Sequence, residues 1–127
     1  MTAEAHEFFS TEDGRLAMSE AEGWVVTTIT DLAGEVGQQA RMALSELLLS
    51  MQQLAARLET LGGAKRPVEV LLGFTSEGDQ LYAAVTEHEM AFVEIAPDGL
   101  GRRLLCGPYS VDEAHSMVNA VVKASAG

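Results

Sequence analysis

The chain has one cysteine, Cys106, so no internal disulfide can form, and a reducing cytoplasm is the expected setting. Basic residues are scarce: eight Lys and Arg stand against 19 Asp and Glu, for a formal charge of −11. A surface of that sign repels phosphate backbones and argues against a nucleic-acid partner. The charge is uneven, since residues 1–31 hold seven acids and one base, a net −6. No apolar run approaches the length needed to span a membrane. Met1 to Glu12 has neither the basic start nor the apolar run of a secretory signal. A soluble, cytoplasmic protein without a membrane partner is therefore expected.

The residue patterns of catalysis are also missing. The three histidines, His6, His88 and His115, have no spacing that assembles a metal site. Glu87-His88-Glu89 reads as a solvated turn. Cys106 precedes a helix start and could be paired with His115 as nucleophile and base, but nothing supplies an oxyanion hole, and a buried structural thiol is expected. Gly99-Leu100-Gly101 lacks the further Gly and Lys of a phosphate loop. The basic pairs Lys65-Arg66 and Arg102-Arg103 read as solvated loop ends, and Trp24 reads as core. No catalytic residue, cofactor or metal is expected, and the chain is not expected to be an enzyme.

What remains is structural patterning. At 127 residues and 47% hydrophobic, one domain spanning 1–127 with a real core is expected. Phe8 and Phe9 lie in a short strand, and Asp13-Gly14 supplies the turn of a hairpin that returns through Arg15 to Ser19. Trp24 to Thr30 is β-branched and aromatic, which predicts another strand. From Glu35 to Leu61 the chain is rich in Ala, Leu, Met, Gln and Arg, which predicts a central helix of about 40 Å. Gly62-Gly63 ends it and Pro67 prevents a restart. Val68 to Thr75, Leu81 to Thr86 and Met90 to Ala96 form a three-stranded antiparallel meander, with Arg102 to Cys106 as a short edge strand broken by Gly107-Pro108. Ser110 to Glu113 reads as a capping box, opening a C-terminal helix from Val111 to Ala124 before a frayed tail. No internal repeat is evident. The fold class is α+β: a single antiparallel sheet, hairpin plus meander, packed by the central helix and the C-terminal helix.

The central helix carries apolar residues on two faces. Ala40, Leu44, Leu47, Met51, Leu54, Leu58 and Leu61 form a core stripe at spacings of three and four. Met42, Leu49 and Ala56, spaced by seven, form a second line flanked by Ser45, Gln52 and Gln53. That line either packs against the C-terminal helix or meets its twin in a two-fold dimer. Met42, Leu49, Ala56, Ser45, Gln52 and Gln53 are accordingly the candidate dimer interface.

Three stretches resemble the Roadblock/LC7 family of small dimeric scaffolds. Ser10-Thr11-Glu12-Asp13-Gly14-Arg15-Leu16-Ala17-Met18-Ser19 looks like that family's opening hairpin, Gln38 to Leu61 like its central helix, and Val68 to Ile95 like its meander. The chain departs from the family in lacking a helix before the first hairpin and in the apparent insertion from Gly23 to Gly37. The resemblance implies a homodimer, no catalytic residues, and a role binding a small GTPase or anchoring a larger complex. The competing class is an acidic secretion-type chaperone that holds an extended segment of a partner protein.

Overall fold

A computed structural model of the chain describes residues 4–60 and 66–127. One eight-stranded antiparallel sheet carries strands β1 (His6–Ser10), β2 (Leu16–Ala21), β3 (Trp24–Thr30), β4 (Val36–Ala43), β5 (Val68–Phe74), β6 (Gln80–Val85), β7 (Glu89–Ile95) and β8 (Arg102–Ser110). Their order in the sheet is their order in the chain. Helix α1 (Leu44–Leu58) lies between β4 and β5, and α2 (Val111–Ala126) follows β8. The α+β class expected from the sequence is the observed one.

The largest departure concerns residues 36–43. Their composition favours helix, yet they form β4, paired along its length with β3 from Trp24↔Ala43 to Thr30↔Val36. Two local facts decide this. The Asp31–Gly34 segment folds into a turn: Gly34 donates to the Asp31 carbonyl, and the Asp31 carboxylate accepts from Ala33 and Glu35. The chain is thereby returned alongside β3, and Ala40 and Met42 enter the core on alternate positions. Two residues apart, Ala40 and Met42 share one face of a strand but would lie on different faces of a helix, so the core takes both only as a strand and tertiary pairing overrides propensity. Helix α1 is therefore shorter than expected, about 22 Å for its 15 residues. The expected helix end at Leu61 to Gly63 lies outside the described residues.

Other boundaries move less. Strand β8 continues through Gly107-Pro108 to Ser110, with register slips opposite Ala91 and between Phe92 and Val93 that absorb the proline. Ser110 is the N-cap of α2, but its hydroxyl makes no capping bond. The first helical amide, of Val111, donates instead to the His88 carbonyl. The expected fraying of the tail is not seen: α2 runs to Ala126, and Ser125 Oγ donates to the Val121 carbonyl at 2.9 Å.

A repeat emerges that the sequence did not suggest. The chain is two successive units, each a four-stranded meander followed by a helix. Their turns match: Gly14 donates to the Thr11 carbonyl as Gly78 does to that of Thr75, and Gly34 to Asp31 as Gly99 does to Ala96. All four glycines have positive φ, which L side chains rarely adopt. The opening strands match as well, with register slips between Glu7 and Phe9 in β1 and between Leu71 and Gly73 in β5. Each helix packs on the first strand of the other unit, α1 on β5 and α2 on β1, and the helices pack on each other.

The core is correspondingly shared. Leu16, Met18 and Val25 from the first unit and Leu81, Ala83 and Phe92 from the second join Leu47, Met51 and Leu54 of α1 and Ala114, Met117 and Val121 of α2 in one cluster. Among the described residues, backbone pairing between the units is slight, a single antiparallel pair, Arg41↔Phe74. Gly73 permits that approach: a Cβ there would lie 2.9 Å from both the Arg41 nitrogen and its carbonyl oxygen. Gly73→Ala must therefore push β4 from β5, and the expected cost is about 1–3 kcal/mol. Urea denaturation should show a lower midpoint, and an unchanged midpoint would refute this account of the junction.

Candidate interaction surfaces

The sequence nominated one face of the central helix, and the structure divides that nomination. Met42 is not on the helix. It sits in β4, 5% exposed, and belongs to the core. The rest of the line is on α1. Ser45, Leu49, Gln52, Gln53 and Ala56 are all exposed, and Leu49 is 59% exposed, while Leu47, Met51 and Leu54 turn inward. Glu46 in the first turn and Arg57 in the last complement the helix dipole. The exposed strip between these charges is uncharged, with Leu49 at its centre.

The face of the sheet opposite the core carries a second surface, and here the expectation for Trp24 fails. In β3 the residues Val25, Thr27 and Ile29 are buried, so the strand's alternation turns Trp24 outward, where it is 45% exposed. The guanidinium carbon of Arg41 lies 4.4 Å from the Trp24 ring centroid, a cation–π geometry. Val26, Arg41 and Phe74 stand in one row across β3, β4 and β5. Phe74 is 45% exposed. Because Trp-Val-Val-Thr-Thr-Ile-Thr is apolar or β-branched at both parities, its inward face could not be read from the strand alone.

A polar cluster joins the two units where the β1–β2 turn meets β8 and α2. Asp13 anchors it. Its carboxylate accepts from Thr11 Oγ1 at 2.8 Å, from the Arg15 amide at 3.1 Å, and from the Tyr109 hydroxyl at 3.0 and 3.1 Å. Burial pulls the Asp13 carboxyl up, but these donors and the Arg15 charge together hold it below its usual value. The Tyr109 ring packs edge-on against Phe92. Burial, with the Cys106 thiol beside it, raises the Tyr109 hydroxyl well above its ordinary range, so it remains a donor. Arg15 braces the same region, donating from Nε to the Thr30 carbonyl and from Nη2 to that of Leu105.

Cys106 and His115, the nucleophile and base weighed from the sequence, lie in unlike surroundings. Cys106 is buried in β8, and that burial pushes its thiol up, away from the thiolate a nucleophile needs. His115 is exposed on α2. Among the described residues no group of His, Cys, Asp and Glu is arranged to hold a metal ion. Glu87 and His88 lie in the exposed β6–β7 turn, with His88 Nε2 3.1 Å from Glu87, and Glu89 opens β7, also exposed. Arg102 pairs with Glu69, and Arg103 with Glu94 at 3.0 Å, so neither is a free cation; Lys65 lies outside the described residues. No described helix is long and apolar enough to cross a membrane. No protein-family profile, curated protein or solved structure matches the chain.

Glu113 is the residue that the capping-box reading misplaced. It points not back to Ser110 but towards the β1–β2 turn, 9% exposed, with Oε2 unpartnered. Burial raises its carboxyl, and the nearby charges of Glu12 and Asp13 add to the effect, against a favourable contribution from the Glu12 amide. An acid raised in the folded state stabilises below its usual value of 4.5, and that contribution is lost as pH rises through the raised value. Asp13 has the opposite sign: its contribution is present above 3.8 and is lost as pH falls through the lowered value. Glu113→Gln should therefore raise stability at alkaline pH and flatten the gain expected of the wild type as pH is lowered from about 8 to the usual value of 4.5. Urea midpoints at the two pH values test this, and equal slopes for the two proteins would refute it.

Proposed function

We propose that the chain is a non-catalytic, cytoplasmic, homodimeric scaffold or regulatory adaptor that works by presenting protein-binding surfaces. The observation that carries this reading is the strip on α1, where Ser45, Leu49, Gln52, Gln53 and Ala56 are exposed and uncharged along three turns. A large apolar side chain at the centre of an uncharged helical face suits packing against the same face of a second copy, residue against its own twin. The resemblance of the opening hairpin and the β5–β7 meander to Roadblock/LC7 scaffolds supports the same reading. It extends the reading to a folded partner such as a small GTPase, or to anchoring in a larger complex. The absence of catalytic, cofactor and metal roles belongs to this proposal as well.

A second reading, an acidic secretion-type chaperone that holds an extended segment of another protein, is favoured by the uncovered sheet face bearing Trp24, Val26 and Phe74. Aromatic side chains and arginine dominate the energetics of many protein contacts, and Arg41 stands among them.

Light scattering at high micromolar concentration tests the dimer. The wild type should be dimeric and Leu49→Glu monomeric with an unchanged fold. Leu47→Glu places a charge in the core and should unfold the protein instead. A monomeric wild type would overturn the reading. Capture from native lysate separates the two classes: a folded nucleotide-binding protein supports the scaffold, whereas only unfolded or secreted polypeptides support the chaperone.

A further inference from the structure

Two grooves flank the helix layer, and their charges are mixed. The one between α1 and β5, about 300 Å³, holds Glu69, paired with Arg102, beside Arg57. Its counterpart between α2 and the β1–β2 pair, about 790 Å³, holds Glu7, Glu20 and Lys123. Glu7 stands opposite Ser19 and Glu20 opposite His6, so these two carboxylates leave opposite faces of the sheet. Neither groove offers a ligand one kind of charge. The uncovered face of the sheet does.

Strand alternation sends Arg41 onto that face, between the buried Ala40 and Met42. It stands in the row Ser19–Val26–Arg41–Phe74, and the neighbouring rows, through Trp24 and through Gln39, add no charge from β2 to β5. Glu7 ends the same row, three strands and about 14 Å away, beyond the reach of the arginine. The Arg41 guanidinium lies over the Trp24 ring at 4.4 Å. Among the described residues nothing accepts a hydrogen bond from it or pairs with its charge, whereas Arg15, Arg102 and Arg103 are all engaged. Beside it opens a pocket of about 370 Å³ walled by Val26, Gln39, Phe74 and Ser76. Gln39 is fixed there, its amide donating to Thr28 Oγ1 at 3.2 Å.

We propose that this face is a docking site for a short segment of a partner protein that carries one Asp or Glu between large apolar side chains. The carboxylate takes the fork of Arg41 through paired N–H donors. Its apolar neighbours rest on Trp24 and Phe74, each 45% exposed. Charge selects this occupant. A wholly apolar segment would cover the guanidinium without giving it a partner, which is costly, and a basic one would oppose it. A strongly acidic tract is disfavoured in turn by the −11 of the whole chain. The inference rests on the second reading above, in which the uncovered sheet face holds a segment of another protein, and gives that segment its chemistry. It does not depend on the dimer, because Leu49 belongs to the helix layer on the other side of the sheet.

Trp24 is the chain's one tryptophan, so its emission reports on this site alone. The full chain is titrated with short blocked peptides in which Leu and Val flank a central Glu, Gln or Lys. The Glu peptide should shift the Trp24 emission and bind at least about tenfold more tightly than the Gln peptide, with the Lys peptide weaker still. In Arg41→Gln, shown to be folded by its thermal melt, the preference for Glu should vanish. Arg41→Lys should restore it only in part, since an ammonium lacks the planar fork. Equal binding of the Glu and Gln peptides overturns the carboxylate site and leaves the sheet face standing as a binding surface. No change in emission with any of the three peptides overturns both. Tighter binding of the Lys peptide, which would show the overall negative charge in control, overturns the proposal. So does an emission that shifts when the protein alone is diluted, which would put a second copy on the face.

Discussion

The rest of the structure depends on how two half-sheets are held together when, among the described residues, one backbone pair, Arg41↔Phe74, spans them. A four-stranded meander with one exposed apolar face cannot stand alone, and its helix must bury that face. Here each helix crosses to the other unit, α1 onto β5 and α2 onto β1, and the helices also pack on each other. The two meanders are therefore fastened less by their own ladder than by an exchange of helices. Leu47, Met51 and Leu54, fully buried, work for both units at once, as do Ala114, Met117 and Val121 on the other side. Burial of such side chains contributes roughly 1.5–3 kcal/mol each, far more than a single exposed strand pair. Neither unit keeps its core if the other departs, which ties the chain into one cooperative body.

That dependence also explains which parts of the fold could be read from the sequence. Trp24–Thr30 and the β5–β7 meander were legible because β-branched runs bounded by Gly and Asp are decided locally. The inward stripe Leu44, Leu47, Met51, Leu54 and Leu58 was legible because its period belongs to one element. Strand β4 was not. Its Gln, Ala, Arg and Met prefer helix, and only the need of β3 for a neighbour, together with the Asp31–Gly34 turn, made it a strand. Met42 was lost from the candidate interface for the same reason, whereas Leu49, Ala56, Ser45, Gln52 and Gln53 kept their outward places. Trp24 and Glu113 failed differently. Each sits in the element foreseen, but its direction is set by a distant partner: the face that the helices cover for Trp24, and the β1–β2 turn for Glu113. The repeat escaped notice because it is carried by turn glycines and strand slips rather than by matching side chains.

Electrostatics gives the two ends of the molecule different characters. Around the β1–β2 turn, acids outnumber bases, and Asp13 is tied into the fold by three donors while Glu113 lies close by without one for Oε2. One carboxylate there is favoured by its surroundings and the next is opposed by them, although both belong to the same few ångströms of structure. On the second unit two arginines are paired, Arg102 with Glu69 and Arg103 with Glu94. The negative charge of residues 1–31 is therefore left facing outward, where it acts at range on whatever approaches.

The duplicated architecture gives natural variation two versions of each surface to work on. In the second unit a single arginine, Arg102, closes the chapter on Glu69, and the groove there is small. In the first, neither Glu7 nor Glu20 has an ion-pair partner among the described residues. A substitution that seals one groove leaves its counterpart untouched, so one copy can be given over to holding the molecule together while the other drifts towards new company. A fold of this kind carries its own spare part, and asymmetry between the halves, rather than any residue in isolation, tells the two copies apart.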